Sequence, residues 1–208
     1  MNRITTAITG LSLAFASTAF SFADTIHVPT EFSTIQAALD AASDGDTIQV
    51  AAGKQYESNI MVSGISVTIS GAVDKAGMPA TSVIGNQTTT VLSTEVSTGD
   101  SIVIENLIIT GGHGVDAGGG MDNVSLDGSG SVLVRNVRII SNTSEGTQNV
   151  ACVAAGMAIS YNRNNNGSGD WSAELPCDYI VHLIDCQVSH NVLQSHFGGN
   201  GGSVHAGQ

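Results

Sequence analysis

Three aspartates lie in glycine-rich segments and are the first candidates for chemistry in this chain. Asp116, Asp122 and Asp127 offer carboxylate oxygens, which are ligands that Ca²⁺ prefers. The segment does not match the calcium-binding repeat G-G-x-G-x-D-x-U-x, because Met121 stands where the third glycine belongs. A Ca²⁺ site is therefore one hypothesis for these residues, and solvation of exposed turns is the simpler interpretation.

The three cysteines offer a second kind of chemistry. Cys152 and Cys177 bracket a polar segment that contains NRNNNGSGD, and a disulfide between them would close this segment into a loop in an exported protein. Cys186 falls at an apolar repeat position, so we expect a buried free thiol there. Bridges from Cys186 to either of the other two cysteines stay open as alternatives. The sequence has no C-x-x-C or H-E-x-x-H motif, so it predicts no zinc site.

Arg135 and Arg138 are the cations of greatest interest, because both fall at outward positions of a repeat. Glu105 occupies the place of Arg135 one repeat earlier, which predicts a surface ion pair that contributes little to stability. Arg138 has Ile108 and Gln187 as its column neighbours. The pattern places no group of three or four carboxylates beside either arginine.

The elements that position these residues are three copies of one pattern. Ser101–Gly112 (SIVIENLIITGG), Ser131–Asn142 (SVLVRNVRIISN) and Ile180–Asn191 (IVHLIDCQVSHN) align without gaps. Their apolar columns are Ile102/Val132/Val181, Ile104/Val134/Leu183, Leu107/Val137/Cys186 and Ile109/Ile139/Val188, and the polar column Asn106/Asn136/Asp185 separates the second from the third.

The spacing of these columns predicts a bent ribbon. The first two apolar columns are two residues apart, as are the last two, and this is the period of a strand. The step between the pairs is three residues, so a straight strand cannot keep all four columns on one face. A bend at the polar residue restores a single apolar face. Copies of such a ribbon bury that face by stacking in parallel, so the pattern predicts a parallel β-helix.

The composition is typical of a solenoid, and the net charge argues against two classes of binding partner. The chain has 208 residues with 25 glycines, 12% charged and 4% aromatic residues, which suits short strands and tight turns. Hydrophobic residues make up 41%, which argues against disorder. The net charge is −12 with six Lys and Arg, which argues against binding to nucleic acid or to anionic membranes. A polyanionic ligand would be repelled unless a divalent cation intervened.

Residues 1–23 have the features of a secretory signal peptide. An arginine near the start precedes the apolar stretch Ala7–Phe20, and Ser21 and Ala23 place small residues before a cut. The mature chain, residues 24–208, is then expected to be one domain that is secreted, periplasmic or at the cell surface, with no membrane association. An uncleaved anchor is the alternative.

One amphipathic helix precedes the strands. Ser33 is predicted as its N-cap, with Gln36 completing a capping box. Its apolar face consists of Ile35, Ala38, Leu39 and Ala42. A helix at this place would cover the open end of the first coil. We predict that residues 24–60 form the N-terminal cap and first rung, and that residues 160–177 form a loop inserted in a later rung.

Several motifs resemble a known family. Ile26–Ile60, which reads IHVPTEFSTIQAALDAASDGDTIQVAAGKQYESNI, resembles the N-terminal cap and first rung of secreted bacterial right-handed parallel β-helix proteins of the pectin lyase-like superfamily. Rungs of that superfamily often read NCTF-GN and then GGGM. Asn136–Asn142 and Asp185–Asn191 resemble the first motif, and Gly118–Met121 and Ala155–Met157 resemble the second. The resemblance implies an all-β, right-handed parallel β-helix with a capping α-helix.

For function, the resemblance points to polysaccharides. Lyases of this superfamily remove a proton next to a uronate carboxylate, with an outward Arg or Lys as base and Ca²⁺ held by carboxylates. The resemblance therefore makes Arg138 and Arg135 the candidate catalytic residues of a lyase. Hydrolases of the superfamily carry paired aspartates, and this sequence has no Asp-Asp pair. Turn asparagines of the superfamily form internal ladders, which is the role expected of Asn142 and Asn191.

Three functions follow, and the first is favoured. It is a non-catalytic exported module that binds carbohydrate or serves as cell-surface structure; the others are a Ca²⁺-dependent pectate lyase-like enzyme and an adhesin or autotransporter passenger fragment. A carboxylate cluster beside Arg138 would favour the enzyme, whereas a flat face with Val103, Leu133 and Ile108 exposed would favour binding. Gly198–Gln208 reads as the start of another rung, which predicts a truncated stack covered by further rungs or a partner.

Overall fold

A computed structural model of the chain describes residues 23–115, 117–126, 129–146, 155–161 and 179–195. Within these residues there are one helix and eighteen strands. The helix α1 spans Ile35–Ala41, and the strands are β1 Thr25–Val28, β2 Thr47–Val50, β3 Gly53–Tyr56, β4 Ile60–Ser63, β5 Val67–Gly71, β6 Thr81–Ile84, β7 Leu92–Val96, β8 Ser101–Glu105, β9 Leu107–Thr110, β10 His113–Val115, β11 Met121–Ser125, β12 Ser131–Arg135, β13 Arg138–Ile140, β14 Thr143–Gly146, β15 Met157–Tyr161, β16 Ile180–Ile184, β17 Gln187–Ser189 and β18 Val192–Ser195.

These strands form four parallel sheets in which each strand pairs with the equivalent strand of the neighbouring rung. Sheet 1 contains β1, β2, β5, β8, β12 and β16, and sheet 2 contains β3, β6, β9, β13 and β17. Sheet 3 contains β4, β7, β11 and β15, and the smaller sheet 4 contains β10, β14 and β18. Because the chain visits the sheets in the same order in successive turns, the described residues form a parallel β-helix, as predicted.

The corner between sheets 1 and 2 is the bend that the sequence pattern predicts. Asn106, Asn136 and Asp185 adopt left-handed backbone conformations there, with φ of 60°, 51° and 52°. Asn and Asp tolerate this region better than most residues that have a Cβ. The corner side chains also stack, since the Asn136 amide donates to Asn106 Oδ1 at 2.9 Å. The repeated bend turns all four apolar columns toward the interior.

The apolar columns fill the interior in the predicted register. In sheet 1, Val132 pairs with Ile102 and with Val181, and in sheet 2, Ile139 pairs with Ile109. Ile102, Ile109, Val132 and Ile139 are at most 1% exposed. Burial of such columns is the main stabilising contribution, since each fully buried aliphatic side chain contributes about 1.5–3 kcal/mol.

An internal asparagine ladder runs beside the apolar columns. Asn142 is fully buried, and both its backbone N–H and its side-chain amide donate to Asn191 Oδ1, at 2.9 and 3.1 Å. Its own Oδ1 accepts from the Gly112 N–H at 2.9 Å. A Cβ on Gly156 would lie 2.7 Å from Asn191 Nδ2, so glycine is needed where the chain passes the ladder. The role expected of Asn142 and Asn191 is confirmed.

The helix caps the coil as predicted, but its first turn is built differently. The N-cap is Thr34 and not Ser33, because the Thr34 hydroxyl accepts from the Ala37 N–H at 3.1 Å. The Glu57 carboxylate accepts from the first two N–H groups of the helix, both at 2.8 Å. The predicted capping box was wrong, because a carboxylate of the first rung satisfies these donors.

Gln36 instead closes the free edge of sheet 3. Its Oε1 accepts from the Met61 N–H at 2.7 Å, and its Nε2 donates to the Met61 carbonyl at 3.3 Å. The side-chain amide thus takes the place of a neighbouring strand for β4, which is an edge strand. The predicted apolar face is confirmed: Ile35, Ala38 and Leu39 are buried, and Ala42 packs against the core.

At the other end, the last described rung leaves apolar side chains exposed. Leu183 is 40% exposed, although it belongs to a column that is buried in earlier rungs. Of the predicted inserted loop, Ser160 and Tyr161 belong to β15, and the remainder lies outside the described residues, as does Gly198–Gln208. A covered C-terminal end stays a prediction. In the described part of the chain, no helix is long and apolar enough to cross a bilayer.

Exchange of Ile139 for alanine tests the interior register. Ile139 is fully buried, whereas Ile140 points outward from the same strand. We expect Ile139→Ala to lower the free energy of unfolding by about 2–5 kcal/mol, because it leaves a cavity in the core. Urea unfolding followed by circular dichroism measures the loss. The control Ile140→Ala is expected to cost about 1 kcal/mol or less, and equal losses for both variants would contradict the register.

Candidate functional site

The described Lys and Arg side chains lie on sheet 2 or at its corner with sheet 1. Lys54 is in β3 and Arg138 is in β13, both in sheet 2. Arg135 ends β12 of sheet 1, one residue before the corner. Lys75 lies in the segment 72–80, which connects β5 to β6 at that corner. In a protein of net charge −12, these cations are therefore concentrated on one side.

The outer surface of sheet 2 is here named the basic face. One column of this surface runs through Lys54, Ser82, Ile108, Arg138 and Gln187. A second column runs from Tyr56, which is 75% exposed, through Ile84 to Thr110. None of the five strands of sheet 2 contains Asp or Glu. The basic face thus carries two cations and an exposed aromatic ring on a strand surface with no acidic side chain.

The two arginines differ in how their charge is balanced. Arg135 pairs with Glu105, its neighbour in β8, and the same carboxylate accepts from the Ser70 hydroxyl at 2.9 Å. The predicted surface ion pair is confirmed. Arg138 lies between its two predicted column neighbours, and among the described residues no carboxylate is within ion-pair distance of it. Its charge is available to a ligand, whereas that of Arg135 is already balanced.

A loop is anchored at the corner beside the basic face. The Asn136 amide donates to the Gly77 carbonyl at 2.9 Å, which ties the segment 72–80 to a later rung. Asp74 shapes this loop, because its Oδ1 accepts from the N–H groups of Ala76 and Met78 at 2.8 and 2.9 Å. These contacts keep the loop, and with it Lys75, at the edge of sheet 2.

Of the three aspartates considered as calcium ligands, Asp122 lies in β11 of sheet 3, while Asp116 and Asp127 lie outside the described residues. Burial raises the pKa of Asp122, a hydrogen bond from the Gly118 backbone lowers it, and the negative charge of Glu95 raises it further. Within the ranges described, no three His, Cys, Asp or Glu side chains come together as a metal site. A Ca²⁺ site in this protein stays a prediction.

Cys186 is a free thiol that packs, half-buried, against the apolar core. Its Sγ donates to the Val134 carbonyl at 3.3 Å, and burial raises the pKa of the thiol. The free thiol expected at this apolar repeat position is confirmed, but it is half-buried and not fully buried. Cys152 and Cys177 lie outside the described residues, so the disulfide between them stays a prediction.

Sequence reasoning identified Arg138 but missed Lys54 and Tyr56. These two residues precede the three repeats, and the segment 72–80 interrupts the spacing that would have aligned them with later rungs. The register of β3 on β6, with Lys54 opposite Ser82, is what brings them onto the same surface. The outward positions of Val103, Leu133 and Ile108 were read correctly, and all three are partly exposed.

Comparisons with known proteins identify no family for this chain. No family model matches the sequence, and no curated protein matches it. Among solved structures, the chain is similar to the crystal structure of the pectin methylesterase from Aspergillus niger in deglycosylated form, with a TM-score of 0.37 and 12% sequence identity over 91% of this chain and 88% of that chain. At this level of likeness, we derive no residue role from it.

Replacement of Asp122 tests the electrostatics of sheet 3. Its folded-state pKa is raised, so the carboxyl costs nothing below its ordinary pKa of about 3.9 and becomes destabilising as the pH rises above that value. We expect Asp122→Asn to raise the melting temperature at pH 7 and to leave it nearly unchanged at pH 3, because asparagine can still accept from Gly118. Thermal unfolding at both pH values is the measurement. A lower melting temperature of the variant at pH 7 would contradict the raised pKa of Asp122.

Proposed function

We propose that this protein is an exported, non-catalytic β-helix module that binds an acidic polysaccharide along the basic face. The observation that carries the proposal is the alignment of Lys54 and Arg138 in one column of a strand surface without acidic residues. Carboxylate or sulfate groups on a glycan are the ligands that suit these two side chains, since Arg in particular binds planar oxyanions with two hydrogen bonds.

The charge of the whole protein makes this face selective. A net charge of −12 disfavours a polyanion over most of the surface. Acidic residues also lie at the edge of the basic face. The charge of Glu105 is balanced by Arg135, and Asp185 lies at the end of the face, in the last described rung. An acidic chain is therefore favoured along sheet 2 and disfavoured elsewhere, which sets where it binds as well as how tightly.

The spacing of the face suits an extended ligand. Neighbouring strands lie about 4.8 Å apart, so Lys54 and Arg138, which are three rungs apart, are separated by about 14 Å along the coil. A glycan that runs parallel to the axis can place two of its acidic groups on these cations. Ser82 and Gln187 offer hydrogen bonds in the same column, and the exposed ring of Tyr56 offers a flat apolar surface to a sugar.

Binding is favoured over β-elimination by what surrounds Arg138. Elimination next to a uronate carboxylate needs a base and also a metal or cation that stabilises the enolate-like intermediate. The column neighbours of Arg138 are Ile108 and Gln187, and the strands of sheet 2 supply no carboxylate that could hold Ca²⁺. The face has charges that give affinity without the ligand cluster that this chemistry uses.

Binding of the mature chain, residues 24–208, to polygalacturonate, alginate and heparin tests the proposal, with dextran as the neutral comparison. We expect binding to the acidic chains, weakening as salt is added because exposed charges are screened. The double variant Lys54→Gln/Arg138→Gln is expected to bind at least about 10-fold more weakly, since each charged hydrogen bond contributes roughly 1.5–3 kcal/mol. Isothermal titration calorimetry measures both effects.

A matched control is the pair Glu105→Gln/Arg135→Gln, which removes one charge of each sign at the edge of the same face. Because that ion pair is exposed, the affinity is expected to change by about 5-fold at most. Absorbance of new C=C bonds is followed in the same samples, with and without Ca²⁺. Unchanged affinity of the Lys54 and Arg138 double variant, or a Ca²⁺-dependent rise in absorbance that Arg138→Ala abolishes, would contradict the proposal.

A further inference from the structure

We infer that the chain is cut between Ala23 and Asp24, and that the Asp46 carboxylate receives the ammonium group that this cut creates. The inference is independent of glycan binding, because it concerns the first strand of sheet 1. It combines the sequence pattern of the leader with the position of Asp24 in the fold and with the surroundings of Asp46.

Asp46 is a buried carboxylate that is aimed at the nitrogen of Asp24. It is 5% exposed and directly precedes β2. Its Oδ2 accepts from the Ser43 N–H at 2.8 Å, and its Oδ1 accepts from the Asp24 backbone nitrogen at 2.8 Å. These two bonds, that of Ser43 foremost, lower the pKa of Asp46 in spite of its burial. A fixed negative charge is thus in contact with the atom that becomes the new N-terminus.

Asp24 is also where the ladder of sheet 1 begins. Its carbonyl accepts from the Thr47 N–H at 2.8 Å, and the register of β1 on β2 starts at the next residue, with Thr25 opposite Thr47. Ala23 and Asp24 are exposed, so a protease can reach the peptide bond between them. The predicted cut after Ala23 therefore falls directly before Asp24, the first residue that hydrogen-bonds within sheet 1.

Cleavage changes the charge at this contact. Hydrolysis by a secretory leader peptidase consumes one water, leaves a carboxylate on Ala23 and gives Asp24 a free α-ammonium group. Such a group has a pKa of about 7.7–8.0, so it is mainly protonated at pH 7. A hydrogen bond between two charged partners is stronger than one from an uncharged amide. The mature N-terminus is therefore held more firmly than the same residue inside the precursor.

The consequence falls on β1, which is an edge strand of sheet 1 and packs beside α1. An edge strand frays when its end is not tied down. Pairing of the new ammonium group with Asp46 ties that end to the turn before β2, so removal of the leader completes the N-terminal cap. Asp44, the other acid of this turn, binds the Ser66 N–H at 2.8 Å and serves as the matched control.

The cut itself is tested by the mass of the exported protein. The full chain is expressed in a bacterial host with a secretory pathway, and the product is recovered from the periplasm or the medium. Intact-mass analysis is expected to show loss of residues 1–23 and a chain that begins at Asp24. A different first residue, or a chain that retains its leader, would overturn this part of the inference.

The role of Asp46 is tested by moving the N-terminus by one residue. The chain 24–208 is compared with the chain 23–208, in which Ala23 carries the ammonium group and Asp24 is an ordinary amide. We expect the melting temperature of 24–208 to be about 2–4 °C higher, the shift that one added charged contact gives in a domain of this size. Asp46→Asn is expected to remove this difference, and Asp44→Asn is expected to keep it.

Equal melting temperatures of the two chains, or an equal difference in the Asp46→Asn background, would overturn the role of Asp46. If Asp46→Asn does not fold, hydrogen exchange decides instead. The Thr47 amide, which donates to Asp24, is expected to exchange more slowly in 24–208 than in 23–208. Equal exchange rates at Thr47 would then be the contradicting result.

Discussion

The structure depends on one constraint, which is that each rung must lie in register on the next. A single coil cannot bury its own apolar side, so stability comes from columns such as Ile104 on Val134 that only stacked rungs create. A shift of one residue would turn these side chains to the outside. The left-handed corner at Asn106 and Asn136 repeats the same bend in successive rungs, so the register of the strands stays the same from one rung to the next.

The same register orders the outside of the coil, with different results on two neighbouring sheets. On sheet 1, the polar side chains of one column bind their neighbours. The Gln49 amide donates to the Ser70 carbonyl at 3.0 Å, the Ser70 hydroxyl donates to Glu105, and Glu105 pairs with Arg135. On sheet 2, Arg138 has no such carboxylate among the described residues. These polar groups of sheet 1 therefore bind one another, whereas sheet 2 presents charge to the solvent, which is why we propose that the ligand binds there.

Most of the fold could be predicted from the sequence, because the alignment of the three repeats predicts which residues pair in neighbouring strands. Their alignment predicted the pairing of Arg135 with Glu105 and the neighbours of Arg138. The first rungs could not be aligned in this way, so Lys54 and Tyr56 were missed. The helix cap was misread because the carboxylate of Glu57, which a local motif cannot reveal, binds the N–H groups expected to belong to the Ser33 box.

The central claim, that an acidic glycan lies on the basic face, is tested most directly by methyl NMR of the mature chain labelled at isoleucine. Ile84, Ile108 and Ile140 report on sheet 2, whereas Ile180 and Ile184 report on the last described rung of sheet 1. Titration with an oligogalacturonate is expected to shift the first three methyl signals and to leave the last two unchanged. Shifts confined to Ile180 and Ile184, or no shifts at all at saturating ligand, would contradict the account.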